Sequence, residues 1–271
     1  MQPALLGVDF TSAPTRRKPI TVARGRLEGA GRLRLEDLDA LPGFAAFEAL
    51  LAAPGPWVGG FDLPFGLPRE LVVALGWPLE WPALVRHVAG LTRAELRAAF
   101  EAFCAARPAG SKFAHRACDG PAGSSPSMKW VNPPVAFMLH AATPRLLAAG
   151  VSLPAVGQAG DPQRVALEAY PGLLARELIG PRSYKSDERA RQTPERLIAR
   201  KDLVDALEQG RTRLGLRLRV SHAQHEALVA DPTGDRLDAV LCLLQAGWAA
   251  TRPDHGLPAG RDLLEGWIVS A

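Results

Sequence analysis

Cysteine is scarce in this sequence of 271 residues, lysine little commoner, and long apolar runs are missing. The three cysteines, Cys104, Cys118 and Cys242, share no metal-ligand spacing. So sparse and odd a set argues against a structural zinc site and points to a reducing, cytoplasmic compartment. No apolar stretch approaches the roughly 18–20 residues of a membrane span, so no membrane partner is expected. The N-terminal residues lack a basic segment followed by an apolar core, and no secretory leader is expected. There is no internal repeat, no inter-domain linker and no Gly-rich P-loop. With only five lysines, the net charge of +4 and the pI near 9.2 are mainly arginine. Codon bias and phosphate binding explain such an excess equally well, and net charge alone does not choose between them.

What is present is an ordinary globular balance, 47% hydrophobic and 22% charged, long enough for a large core. Ala4 to Val8 reads as a buried strand ending on Asp9. The segments after Ile20 and around Leu33 and Leu35 alternate as strands, giving an antiparallel meander. Phe44 to Ala53 has helical spacing. Trp57 to Phe61 is a second buried strand, ending on Asp62. Residues 68 to 106 read as helical with breaks around Pro78 and Pro82, and Thr92 with Glu95 forms a capping box. Periodicity is lost from Arg107 to Pro134 and returns over 135 to 149. Val165 to Ala169 is the fifth strand, with Glu168 near its end. Helices follow over Leu173–Leu178, Pro194–Leu207 and His222–Val229. A last helix carries the stripe Leu237, Val240, Leu241 and Leu244, with Asp231 or Thr233 as its cap. The expectation is a single α/β domain over residues 1–271. It has a mixed five-stranded sheet flanked by helices, with a large mainly helical insertion at about 68–160 between the fourth and fifth strands.

Three strands therefore end in a carboxylate: Asp9, Asp62 and Glu168. Asp235 and Asp238 begin the last helix, three apart and on one face. Each has a plain reading: Asp9 and Asp62 as turn residues, Glu168 as an arginine's partner, Asp235 as a favourable charge at a helix N-terminus. Together they sit where α/β proteins build sites. Converging carboxylates repel unless a cation neutralises them, and an all-oxygen set suits Mg²⁺ or Mn²⁺. Such a centre can hydrolyse phosphodiester bonds.

The stretches "GVDFTSAP…RRKPITVA", "GFDLPFGLP", "ALEAYPGLL", "YKSDERAR" and "DRLDAVLCLLQA" resemble the family catalogued as domain of unknown function 429. Its members are predicted nucleases with a ribonuclease H-like fold, and the resemblance runs from Gly7 to Ala246. "DRLDAV" is also similar to the last helix of Holliday-junction resolvases. The resemblance implies Asp9 as the first-strand acid, Asp62 as the fourth-strand acid, and Asp235 or Asp238 as the acid of the C-terminal helix, with Glu168 outside that triad. The implied metal ligands are Asp9, Asp62, Asp235 and Asp238, and the implied activity is that of a metal-dependent nuclease.

A nuclease also needs phosphate contacts. Thr11 and Ser12 follow Asp9, and Arg17 sits in the basic cluster Arg16 to Lys18. Lys185 and Arg189 follow the Glu168 strand. The irregular middle segment supplies Lys112, Arg116, Lys129 and Trp130, with His115 as a proton carrier. The remaining histidines, His225 among them, lack metal spacing and read as structural. Nucleic acid, DNA or RNA, is the expected substrate. Two alternatives stand. "GVDFTSA" weakly resembles the first phosphate loop of sugar kinases and actin-like ATPases, with "GQAGDP" (Gly157 to Pro162) a poor adenosine loop, which would make the protein an ATP-dependent phosphotransferase. The other is a non-catalytic nucleic-acid-binding module.

Overall fold

The computed structural model describes residues 2–29 and 31–271. Apolar residues at Leu5, Leu6 and Val8 bury both faces of the first strand, β1 (Ala4–Asp9), which lies inside the sheet. β2 (Ile20–Leu27) pairs antiparallel with β1, and β3 (Arg32–Leu41) antiparallel with β2, so the meander expected from the alternation forms. A bulge between Arg24 and Gly25 shifts the β2–β3 register. α1 (Phe44–Ala52) then carries the chain over the sheet to β4 (Trp57–Asp62), which lies parallel to β1 on its other side.

Between β4 and the next long strand the chain is mainly helical. α2 (Arg69–Ala74) ends before Pro78, but Pro82 breaks nothing: it occupies the first turn of α3 (Trp81–Ala89). Its missing N–H is harmless there, because first-turn amides have no intrahelical partner. α4 (Arg93–Ala105) begins with the complete Thr92–Glu95 capping box. The segment 107–134 is irregular apart from the single turn α5 (Asp119–Ala122), and α6 (Val135–Ala149) follows.

Among the described residues the sheet has seven strands, not five, in the order β5-β6-β4-β1-β2-β3-β7. The five expected strands are all present. The additions are two short edge strands, β5 (Val151–Ser152) beside β6 (Asp161–Ala169), and β7 (Arg217–Arg219) beside β3. Segments of two and three residues are too short to show an alternating pattern, which is why they escape a reading by periodicity. α7 (Pro171–Ile179), α8 (Pro194–Glu208) and α9 (His222–Ala230) follow the sequence closely.

The last helix, α10 (Asp235–Ala249), crosses the middle of the sheet over β1, β2 and β4. Gly234 occupies the N-cap position, but the two expected residues still serve the helix start: Asp231 accepts the Arg236 N–H at 3.1 Å and the Thr233 hydroxyl oxygen the Asp235 N–H at 3.5 Å. Thr233 also donates its own N–H and hydroxyl to Asp231 at 3.1 and 2.7 Å. α10 approaches so closely because two strand positions beneath it have no side chain. A Cβ on Gly7 would lie 2.0 Å from the Ala239 carbonyl oxygen, and one on Gly60 2.5 Å from that of Cys242. Leu5, Ala23, Leu33, Leu35 and Leu167 complete the core on the α10 side. Leu6, Val8, Ile20, Val22, Phe47 and Phe61 form a second core on the other side, under α1, α3 and α6. No helix among the described residues is long and apolar enough to cross a membrane.

Candidate metal centre

Strand register places the first two carboxylates. β1 and β4 are parallel, and Asp9 lies directly opposite Asp62. Their side chains share the face covered by α10, because Gly7 and Gly60, two residues earlier, face that helix. The packing of α10 brings the third acid. Asp9, Asp62 and Asp238 each offer a carboxylate oxygen, and the three oxygens lie within 4.8 Å of one another. Asp238 is fully buried, while Asp9 and Asp62 are partly buried.

Electrostatics follow from that crowding. Burial, then the charge of Asp238, pushes Asp9 well above the usual carboxylate range, against the pull of Lys185. The same causes in the same order push Asp62 up to about 7. Asp238 accepts from the Tyr184 hydroxyl and from Lys185 Nζ. Burial works against the Lys185 ammonium, but Asp238 and its neighbours hold its pKa well above the ordinary lysine value. The centre is thus a set of three acids served by one lysine. That imbalance is what a divalent cation corrects, and three hard oxygen donors fit Mg²⁺ or Mn²⁺. Asp9, Asp62 and Asp238 are the residues that would hold it.

The other expected site residues divide. Asp235 is not within the three-acid group. It pairs with Lys18 at 3.2 Å, and Lys18 also reaches Asp187 at 2.6 Å. Glu168 lies on the strand beside Asp62 but one residue out of phase: it is opposite Phe61, while Asp62 is opposite Ala169. The pleat therefore turns it to the other face, where it is buried against Arg116.

Arg116, expected as a substrate contact, is buried in ion pairs and lines the inner wall of the cleft beside Asp62. It is 3% exposed, and its guanidinium binds Glu168 through both oxygens at 2.6 and 2.8 Å and Asp119 at 2.9 Å. Glu168 also accepts the Phe65 N–H at 2.9 Å. This buried network ties the irregular segment to β6. A small cleft beside the centre is lined by Asp62, Glu168 and Tyr170 together with Ser124, Ser125 and Pro133 of that segment.

Thr11 and Ser12, separated from Asp9 by Phe10, are half-buried, the Ser12 carbonyl accepting from Arg93. Arg17 and Arg189 are exposed in flanking loops, as is His115 in the middle segment. Lys129 donates to the Asn132 carbonyl at 2.6 Å. Lys112 lines a separate depression with Cys104, Phe113 and Trp130, into which none of the three acids projects. Among the described residues, Lys185 is the basic side chain that reaches the triad. Sequence reasoning missed Tyr184, although it stands beside Lys185 in "YKSDERAR". His225 is also more than a core histidine: it lies 2.9 Å from Glu208 and 4.0 Å from Asp205, a group whose chain spacing gives no warning because it spans α8 and α9.

Fold and centre together define a mixed α/β protein with a carboxylate triad at the carboxyl ends of two adjacent parallel strands. The chain belongs to the family described as protein of unknown function (DUF429), whose model matches residues 7–259. No curated protein and no solved structure matches it.

Proposed function

We propose that the protein is a metal-dependent nuclease that hydrolyses phosphodiester bonds at the centre formed by Asp9, Asp62 and Asp238. The observation that carries this reading is the convergence of three carboxylates from β1, β4 and α10 on one point. A bound Mg²⁺ or Mn²⁺ pair would activate water and stabilise the leaving oxygen. The chain's own groups do the rest. Asp9 and Asp62 face each other across two hydrogen-bonded strands, which fixes their separation. Tyr184 and Lys185 orient Asp238. Lys185 brings a cation to Asp238, where it would meet a phosphate, and Thr11 and Ser12 lie just beyond the end of β1. The order β3-β2-β1-β4-β6, with the first three strands antiparallel and the last two parallel to β1, supports a ribonuclease H-like reading of the fold.

One observation weighs against the phosphotransferase alternative. Gly157 to Pro162 forms the turn into β6, at that strand's amino end. The acids lie at the carboxyl ends of the strands parallel to it. The one poor candidate for an adenosine loop is therefore at the wrong end of the sheet to close over a nucleotide at Asp9.

The test is incubation of wild type and Asp62→Asn with Mg²⁺ or Mn²⁺ and a panel of single-stranded, duplex and branched DNA and RNA, beside an ATP-consumption assay. Cleavage by wild type, lost in the variant mainly through kcat, is the expected result. ATP turnover without cleavage overturns the proposal in favour of a phosphotransferase. Neither activity leaves a binding module.

A further inference from the structure

Five exposed arginines stand together on the β2–β3–β7 side of the sheet, away from the triad. The register places Arg26 opposite Arg34, and Arg34 opposite Arg219, in one row across three strands. Arg32 is opposite Arg217 in the next row on the same face. Like charges directly opposed across strands are destabilising. Two glutamates only partly offset them. Glu28 lies 3.3 Å from both Arg34 and Arg219 and 4.0 Å from Arg26, and Glu36 lies 2.6 Å from Arg26. Among the described residues, Arg32 and Arg217 have no ion pair. Grooves of about 540 and 510 Å³ run along β7 beside these side chains. Asp205 and Glu208 rim the first groove, and Glu208 is turned to His225 at 2.9 Å.

We propose that this arginine face binds the phosphodiester backbone of a nucleic acid, as an anchoring surface distinct from the metal centre. Three features favour that occupant. The groups are guanidinium forks, which match phosphate oxygens bidentately. Two arginines two residues apart on a strand are separated by roughly 6.7 Å, and the rows repeat across strands, so several phosphates can be met at once. The grooves are open and polar rather than apolar, as backbone contacts without base readout require. Thr21 is the residue opposite Asp9, and Arg26 is five residues further along β2. The anchor therefore lies on the order of 17 Å along the strand from the acids, on the sheet face opposite α10, because Gly25, Leu33 and Leu35 beside the arginines face that helix. A nucleic acid bound here does not need the metal.

The experiment measures fluorescence anisotropy of labelled 20-base-pair DNA and RNA duplexes in EDTA over a range of KCl, with wild type, Arg34→Glu/Arg219→Glu and Arg32→Ala/Arg217→Ala. Each double variant is expected to bind at least about tenfold more weakly at low salt, and to lower the slope of log K against log salt by roughly 1.8, the loss of about two phosphate contacts. Arg34→Lys, which keeps the charge, should hold the wild-type slope; it also serves as the folded control by circular dichroism. Unchanged affinity and slope in both double variants overturns the proposal. So does binding of polyglutamate or anionic vesicles with none of either duplex. The inference stands apart from the nuclease reading: loss of cleavage in Asp62→Asn with duplex binding intact tests the centre, and loss of binding in the arginine variants tests the anchor.

Discussion

Removing the ammonium of Lys185 should cost stability that a divalent cation restores. Asp238 is fully buried and accepts only from Tyr184 and Lys185 among the described side chains. In Lys185→Met its carboxylate stays buried beside Asp9 and Asp62 with no cation. Breaking a fully buried pair by deleting one partner costs about 3–5 kcal/mol. The Lys185 side chain is 42% exposed, and solvent screening brings the expected loss to about 2–3 kcal/mol. For a chain of this size that is a fall in melting temperature on the order of 5–10 °C in EDTA. Mn²⁺ at a hundredfold excess over its Kd adds about 2.7 kcal/mol to whichever form it binds. With no tethered ammonium competing for Asp238, the variant should bind Mn²⁺ more tightly and gain more from it than wild type. Thermal melts of both proteins in EDTA and across a Mn²⁺ titration read this directly. An unchanged melting temperature in EDTA, or equal Mn²⁺ shifts in both proteins, refutes the reasoning that Lys185 stands in for a metal.

The raised pKa of Asp62, about 7, means that its protonated form is favoured in the folded metal-free protein. Its contribution is therefore fully present below the ordinary carboxylate pKa of ~3.9 and is lost as pH rises through about 7, by up to roughly 4 kcal/mol. Urea denaturation in EDTA should show wild type losing more stability than Asp62→Asn over that window, and parallel pH profiles would contradict the burial argument. Arg116→Met should cost about 3–5 kcal/mol by stranding Glu168 and Asp119; a loss below about 1 kcal/mol in urea titration would show the network to be unimportant. Gly60→Ala should destabilise by about 1–3 kcal/mol by forcing α10 off the sheet and should weaken Mn²⁺ binding by calorimetry. Gly43→Ala, whose Cβ meets nothing within 4 Å, should leave Mn²⁺ binding unchanged, and an equal effect from both would remove α10 placement as the cause.

The sequence by itself determined the longer elements and their order, though not the two short edge strands. A short apolar run marked β1, alternation marked β2 and β3, the i, i+3, i+4 stripe marked α10, and the Thr92–Glu95 pair marked the start of α4, because each pattern is local. It also put acids at the ends of β1, β4 and β6 and at the start of α10. Which of them converge was a tertiary matter. Glu168 is excluded by the β4–β6 register, since a strand turns successive side chains to opposite faces and Glu168 pairs with Phe61 rather than Asp62. Asp238 joins Asp9 and Asp62, while Asp235, one turn nearer the start of α10, is paired with Lys18, and that choice depends on where the helix lies along the sheet. Arg116 is drawn from a loop into the interior by two carboxylates, one of them 52 residues away in the chain. The arginine face is completed only because β7, three residues long, pairs with β3 and adds Arg217 and Arg219 to it. Periodicity constrains a residue's own strand or helix; register, pleat parity and helix approach are set between elements, and only the folded chain contains them.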